Sequence, residues 1–170
     1  MRNLLVLRHA KSSWSHPGLD DHDRPLNKRG ERTAPRMGRF IAERGLIPDR
    51  IISSTAVRAH TTAEEIARHC GFEGSVRTTR QLYLAAPDEY LAVLWALPDN
   101  PRRVMVVGHN PGMEALAVGL CAGAAQHVHL RMPTTCCAHL QLEIVHWSQI
   151  RWGCGELSFL LPPKLLRMVE

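Results

Sequence analysis

Two short apolar runs, Leu4–Leu7 and Val104–Val107, lead into polar pairs, Arg8-His9 directly after the first and His109-Asn110 one glycine after the second. An unbroken apolar run of this length suits a strand buried on both faces, whereas a half-exposed strand would alternate. The sequence between the runs supplies the covering helices. From Asn27 to Arg44, Met37, Phe40 and Ile41 recur at helical spacing, and Pro35 inside the segment is expected to kink the helix or split off its first turn. Asp49–Ser53 reads as a strand. Ser54 or Thr55 is then placed to cap a helix whose Ala59, Ala63, Ile66, Ala67 and Cys70 form one stripe, ended by Gly71. A brief strand is expected at Val76–Thr78, and Pro87 opens a helix that Pro98 ends. A helix over Gly112–Leu120 follows Pro111, and His139–His146 and Glu156–Leu161 read as late edge strands. Strand and helix alternate from residue 4 to residue 120. This predicts an α/β fold, a three-layer sandwich with a mainly parallel central sheet and helices on both faces.

A chain of 170 residues is expected to form one domain, residues 1–170. With 45% apolar and 22% charged residues it is not a disordered chain. The longest apolar stretch, Ala115–Ala125, is too short to span a bilayer and is interrupted by glycines, so no membrane partner is expected. The amino terminus lacks a small-residue cleavage site and does not read as a signal peptide. Five cysteines without a CxxC pair read as reduced thiols of a cytoplasmic protein. The net charge of +5 comes from 21 cations scattered along the chain, with no run longer than two, so no stripe for nucleic acid is expected. His127 and His129 lack further ligands at suitable spacing, so no metal is expected. No Gly-rich phosphate loop leads into a helix with the required Lys, so no nucleotide cofactor is expected either.

Ligands of open α/β sheets bind beyond the carboxyl ends of the strands. Three predicted strand ends carry similar chemistry: Arg8-His9, Ser53-Ser54 leading to Arg58, and His109-Asn110. An Arg-His pair alone says little. Arg68-His69 closes a helix just before Gly71, where cations complement the helix dipole. Arg8-His9 directly follows a buried strand and has no such explanation. GHNPG combines a glycine for close backbone approach, Asn110 as a capping and phosphate-binding candidate, and a proline at the helix start, which makes an anion site. Two histidines and two arginines meeting there point to phosphate.

These segments resemble the histidine phosphatase superfamily, which includes the phosphoglycerate mutases. The matching motifs are LLVLRHAKS at Leu4–Ser12, DRPLNKRG at Asp23–Gly30, SSTAVRAHTTAE at Ser53–Glu64 and VVGHNPG at Val106–Gly112. The lidless branch of SixA-type phosphohistidine phosphatases is the most similar. The resemblance implies a phosphoglycerate mutase-like fold and a phosphatase that works without metal or cofactor. His9 matches the nucleophile that takes the phosphoryl group, Arg8 and Arg58 the arginines that hold its oxygens, and His109 the second histidine. Arg24 matches a further phosphate-binding arginine of the SixA-like branch. Asp21 matches an aspartate of that branch and is the candidate proton donor.

QLYLAAPDE at Gln81–Glu89 has no carboxylate before Tyr83, so the acid motif of the mutases is missing. Such an acid contributes roughly 10²–10⁴-fold, and its absence matters least when the leaving group is as good as the imidazole of phosphohistidine. The expected partner is therefore a phosphorylated protein, such as a histidine phosphotransfer domain. Small phosphorylated metabolites and a phosphoprotein-binding module with little turnover are the alternatives. A mutase ranks below these, because the chain has no room for insertions that would enclose a mobile intermediate.

Overall fold

Leu4, Leu5, Val6 and Leu7 are fully buried, and they form the middle of β1 (Arg2–Arg8) in a six-stranded sheet. The structure is a computed structural model that describes residues 1–123 and 128–168. Strand β4 (Arg103–Gly108) lies parallel to β1, β2 (Arg50–Ser54) parallel to β4, and β3 (Arg77–Thr79) parallel to β2. On the other side of β1, β5 (Cys137–Leu142) is antiparallel, and β6 (Gly155–Leu161) is antiparallel to β5. The order is β3-β2-β4-β1-β5-β6, and β5 alone runs against the rest.

Alternate residues of a strand face opposite sides, and each side has its own core. Leu5, Leu7, Ile51, Met105 and Val107 pack with α1 (Lys28–Glu43) and α2 (Val57–Cys70). Leu4, Val6, Val104 and Val106 pack with α3 (Pro87–Trp95) and α4 (Gly112–Ala122). The three-layer α/β sandwich read from the apolar runs is the observed architecture.

Local details differ from expectation. Helix α1 runs through Pro35 without a break. The carbonyl that loses its partner there belongs to the exposed Glu31, where water can serve it. Neither Ser54 nor Thr55 caps α2, which starts at Val57 after Ala56. Instead Ser54 Oγ accepts from the Ala56 nitrogen and Thr55 Oγ1 meets His22 Nε2. Strand β3 sits one residue later than expected. Strand β5 starts two residues earlier, ends at Leu142 and is interior, flanked by β1 and β6. Past it, the buried Trp147 donates its Nε1 hydrogen to the Pro101 carbonyl. His127 lies outside the described residues. Among those described, no helix is long and apolar enough to cross a membrane.

Candidate active site

The parallel register aligns the ends of β1, β4 and β2: Leu7 sits beside Val107, and Val107 beside Ser53. The residues that follow these strands therefore emerge together. The His9 nitrogen donates to the Gly108 carbonyl at 3.0 Å, and the rings of His9 and His109 stand 5.1 Å apart between centroids. His9 is 8% exposed, Arg58 3% and His109 2%.

Nδ1 of His9 lies 2.7 Å from the Ala10 carbonyl oxygen. A carbonyl only accepts, so Nδ1 carries the proton and Nε2 keeps its lone pair. Residue 10 is itself fixed, because its nitrogen donates to Thr62 Oγ1 at 2.9 Å and that hydroxyl donates to the Arg58 carbonyl at 2.6 Å. The next carbonyl, of Lys11, lies where a Cβ on Gly30 would come within 2.3 Å, so only glycine lets α1 approach this loop. Burial pushes the His9 pKa down to about 4, and the charges of Arg58, Arg8 and Arg24 add to this against the opposing Ala10 hydrogen bond. The ring is neutral at pH 7.

The arginines converge through one carboxylate. Asp21 Oδ1 accepts from Arg24 Nη1 at 2.8 Å, and Oδ2 accepts from Arg58 Nη2 and from the Tyr83 hydroxyl, each at 2.8 Å. Arg58 Nη1 also donates to the Asp21 carbonyl. Arg24 is further held by Ser12 Oγ at 2.5 Å and the Ser13 carbonyl at 3.0 Å, and its guanidinium lies 3.2 Å from the ring centre of Trp14. Burial raises the Asp21 pKa, but hydrogen bonds from Tyr83, Arg58 and Arg24 outweigh it and hold the carboxyl at about 2. Expected as a proton donor, Asp21 is ionised here and anchors two cations.

His109 Nε2 lies 2.8 Å from Ser54 Oγ, and Arg58 Nη2 lies 3.4 Å from Nδ1. Since guanidinium only donates, Nδ1 holds the lone pair and Nε2–H points to Ser54. Burial, with His9 and Arg58 adding to it, lowers the His109 pKa to about 3. The expected cap at Asn110 is absent. Its Nδ2 donates to Glu114 Oε1 and to the Met132 carbonyl, so the amide joins α4 to the segment before β5 and has no hydrogen left for phosphate. Arg8 Nη1 donates to the same Met132 carbonyl at 2.8 Å, while Arg8 Nε is buried without a partner in the protein.

Arg8, His9, Arg24, Arg58, His109 and Asn110 thus line one open cleft of about 200 Å³, together with Lys11, Ser12, Trp14, Leu84 and Thr134. Among the described residues no three His, Cys, Asp or Glu side chains are grouped to hold a metal.

The model of the Histidine phosphatase superfamily (branch 1) matches residues 4–83. An uncharacterized protein of Mycobacterium tuberculosis is 34% identical over 157 residues, covering 89% of this chain and 96% of the relative. A candidate phosphohistidine phosphatase SixA from Agrobacterium tumefaciens superposes with a TM-score of 0.80 at 32% identity, covering 95% of this chain and 98% of that one. The chain belongs to the histidine phosphatase superfamily. Its fold is also that of the protein histidine phosphatase SixA solved with tungstate, with a TM-score of 0.82 at 22% identity over 96% of this chain and 99% of that one. Membership of the superfamily together with 32% identity to the SixA-type chain over nearly its whole length makes it a phosphatase.

Several residues of this histidine phosphatase site escape sequence reasoning. Thr62 and Tyr90 act by holding others, and their types and spacing are those of ordinary helix residues. Trp14, 74% exposed at the cleft rim, stands in a polar loop with no periodicity to mark it. Tyr83 carries a faint signal, because it stands where the mutases' acid motif would fall.

Proposed function

We propose that this phosphatase hydrolyses its substrate through a phosphoryl group carried on His9, and that the substrate is a phosphohistidine in a protein partner. One observation carries the reading: the 2.7 Å contact to the Ala10 carbonyl leaves Nε2 of a neutral, buried ring as the free nitrogen, in a cleft lined by Arg8, Arg24 and Arg58. Phosphoryl transfer needs placement and charge stabilisation more than proton transfer. One guanidinium about 4 Å from a unit charge contributes on the order of 4 kcal/mol at an effective dielectric near 20.

In the first step the Nε2 lone pair forms a bond to phosphorus as the bond to the leaving group breaks. In the second, water attacks phosphorus, the N–P bond breaks, and phosphate leaves with His9 restored. Burial is the main cause of the low His109 pKa, and a dianion entering beside it offsets the part that comes from cations. His109 can then take up a proton on binding and share it with the departing group. Leaving imidazole asks little of such an acid, and the open cleft suits a phosphoryl group borne on a protein. The five free thiols suit a reducing compartment such as the cytoplasm.

The test is phosphate release from a phosphohistidine protein, an acyl phosphate and simple monoesters, with chelator present. An acid-labile, base-stable phosphoenzyme should form on the wild type and be missing from His9→Ala, whose turnover should fall below a few percent. A His9→Ala variant that keeps its rate overturns the nucleophile. Preference for a monoester moves the substrate to small phosphorylated metabolites.

A further inference from the structure

A second cleft, of about 390 Å³, is lined by Arg29, Arg131 and Lys164 together with Pro133, Pro162 and Pro163. Its three cations come from separate parts of the chain: the first turn of α1, the segment before β5 and the short 3-10 helix after β6. All three side chains are exposed. None has an acidic partner among the described residues, although other surface cations do, as Arg68 pairs with Glu65.

Two backbone connections join this cleft to the catalytic one. Pro133 lines the second cleft and its neighbour Thr134 lines the first. Arg29 precedes Gly30, which packs on the carbonyl of Lys11, and Lys11 lines the catalytic cleft. The two clefts are thus neighbours along the chain, and each is lined by cationic side chains.

The lining fits spread charge better than one tightly held ion. Proline has no N–H to donate, so half of the lining residues offer no backbone hydrogen to an oxyanion. The recognising groups are long, mobile cations, which act on charge more than on geometry. We infer that this cleft is a docking site for an acidic segment of the phosphorylated protein whose phosphoryl group occupies the catalytic cleft. The inference rests on the protein-borne substrate proposed above and adds the chemistry of its flank.

The experiment has a binding arm and a turnover arm. Labelled hexaglutamate, followed by fluorescence anisotropy in about 50 mM salt, should bind the wild type while hexaglutamine does not. The triple variant Arg29→Gln, Arg131→Gln, Lys164→Gln should weaken that binding about tenfold or more. Its turnover of p-nitrophenyl phosphate should stay within about twofold of wild type, which also shows that it folds. With phosphohistidine peptides flanked by glutamates or by glutamines, the wild type should favour the acidic flank about tenfold in kcat/KM. The preference should vanish in the variant and fade as salt shortens the Debye length below about 10 Å. Equal binding of the two homopeptides, or hexaglutamate binding unchanged in the variant, overturns the docking site. Failure of the wild type to hydrolyse any phosphorylated probe overturns the catalytic reading instead, and the binding arm still decides the cleft.

Discussion

The phenol oxygen of Tyr90 lies 3.2 Å from the backbone nitrogen of His109, and it is buried where a Cβ on Gly108 would come within 2.0 Å. A fully buried tyrosine of α3 thus fixes the main chain that carries the second histidine, and Gly108 leaves room for it.

Gly108→Ala should therefore destabilise the fold by more than about 2 kcal/mol, in the range of overpacked cores. Tyr90→Phe should cost about 1 kcal/mol through the lost hydrogen bonds. The double variant should recover part of the alanine's cost, because the nearest clashing atom is gone while the ring carbons at 2.8 and 2.9 Å remain. Chemical denaturation of the four proteins measures the coupling. Additive costs would show that the two positions do not meet.

The pH dependence follows from the two histidines. In the unfolded chain each ring takes a proton near pH 6.5, whereas in the folded protein His9 does so near 4 and His109 near 3. Between those values the unfolded chain holds more protons, so stability is full above about pH 6.5 and falls as acid is added through that window. One such proton changes the slope by about 1.4 kcal/mol per pH unit. His9→Ala should make the acid loss shallower by about one proton, read from denaturation midpoints at pH 7, 6 and 5. In wild type the acid limb of kcat/KM should fall near pH 4. A limb near 6.5 would mean that burial does not hold His9 neutral.

The strand ends were legible because a strand buried on both faces must be apolar throughout. The first polar residues after Leu7 and Val107 then mark the mouth of the sheet. The buried faces of α1 and α2 were legible from apolar residues recurring at helical spacing. Contacts across long sequence separations were not. Asp21 meets Arg58 37 residues away and Tyr83 62 residues away, and nothing local to Asp21 distinguishes an anchoring carboxylate from a donor. Asn110 looked like a cap because it precedes a proline and a helix. Glu114 and the Met132 carbonyl compete for its amide and win. The end of β5 was misplaced because Ile144 and Val145 continue its apolar character into the turn that leads to Trp147.

Thr62 carries a prediction that separates placement from chemistry. Its hydroxyl joins α2 to the loop holding the acceptor of His9. Thr62→Val keeps the shape and leaves the Ala10 nitrogen without a partner, at a cost of about 1–3 kcal/mol. The Ala10 carbonyl should then wander, and kcat should drop about tenfold with little change in KM. Thr62→Ser should restore most of the rate. An unchanged kcat in the valine variant would show that the loop is held by other contacts.

The charge state of Asp21 can be read from leaving groups. As an ionised anchor of Arg24 and Arg58, Asp21 serves every substrate equally, so Asp21→Asn should slow p-nitrophenyl phosphate and phenyl phosphate by the same factor, about tenfold. A proton donor would behave otherwise: its loss would spare the nitrophenolate, which leaves without help, and would slow phenyl phosphate by roughly 10²-fold more. The asparagine also discards the negative charge between two guanidinium groups, leaving the cleft more positive. Inhibition by vanadate should therefore tighten or stay level while turnover falls, a split that a simple loss of folded protein cannot produce. Parallel loss of vanadate binding and turnover would mean that the carboxylate is needed to place the arginines before any oxyanion arrives.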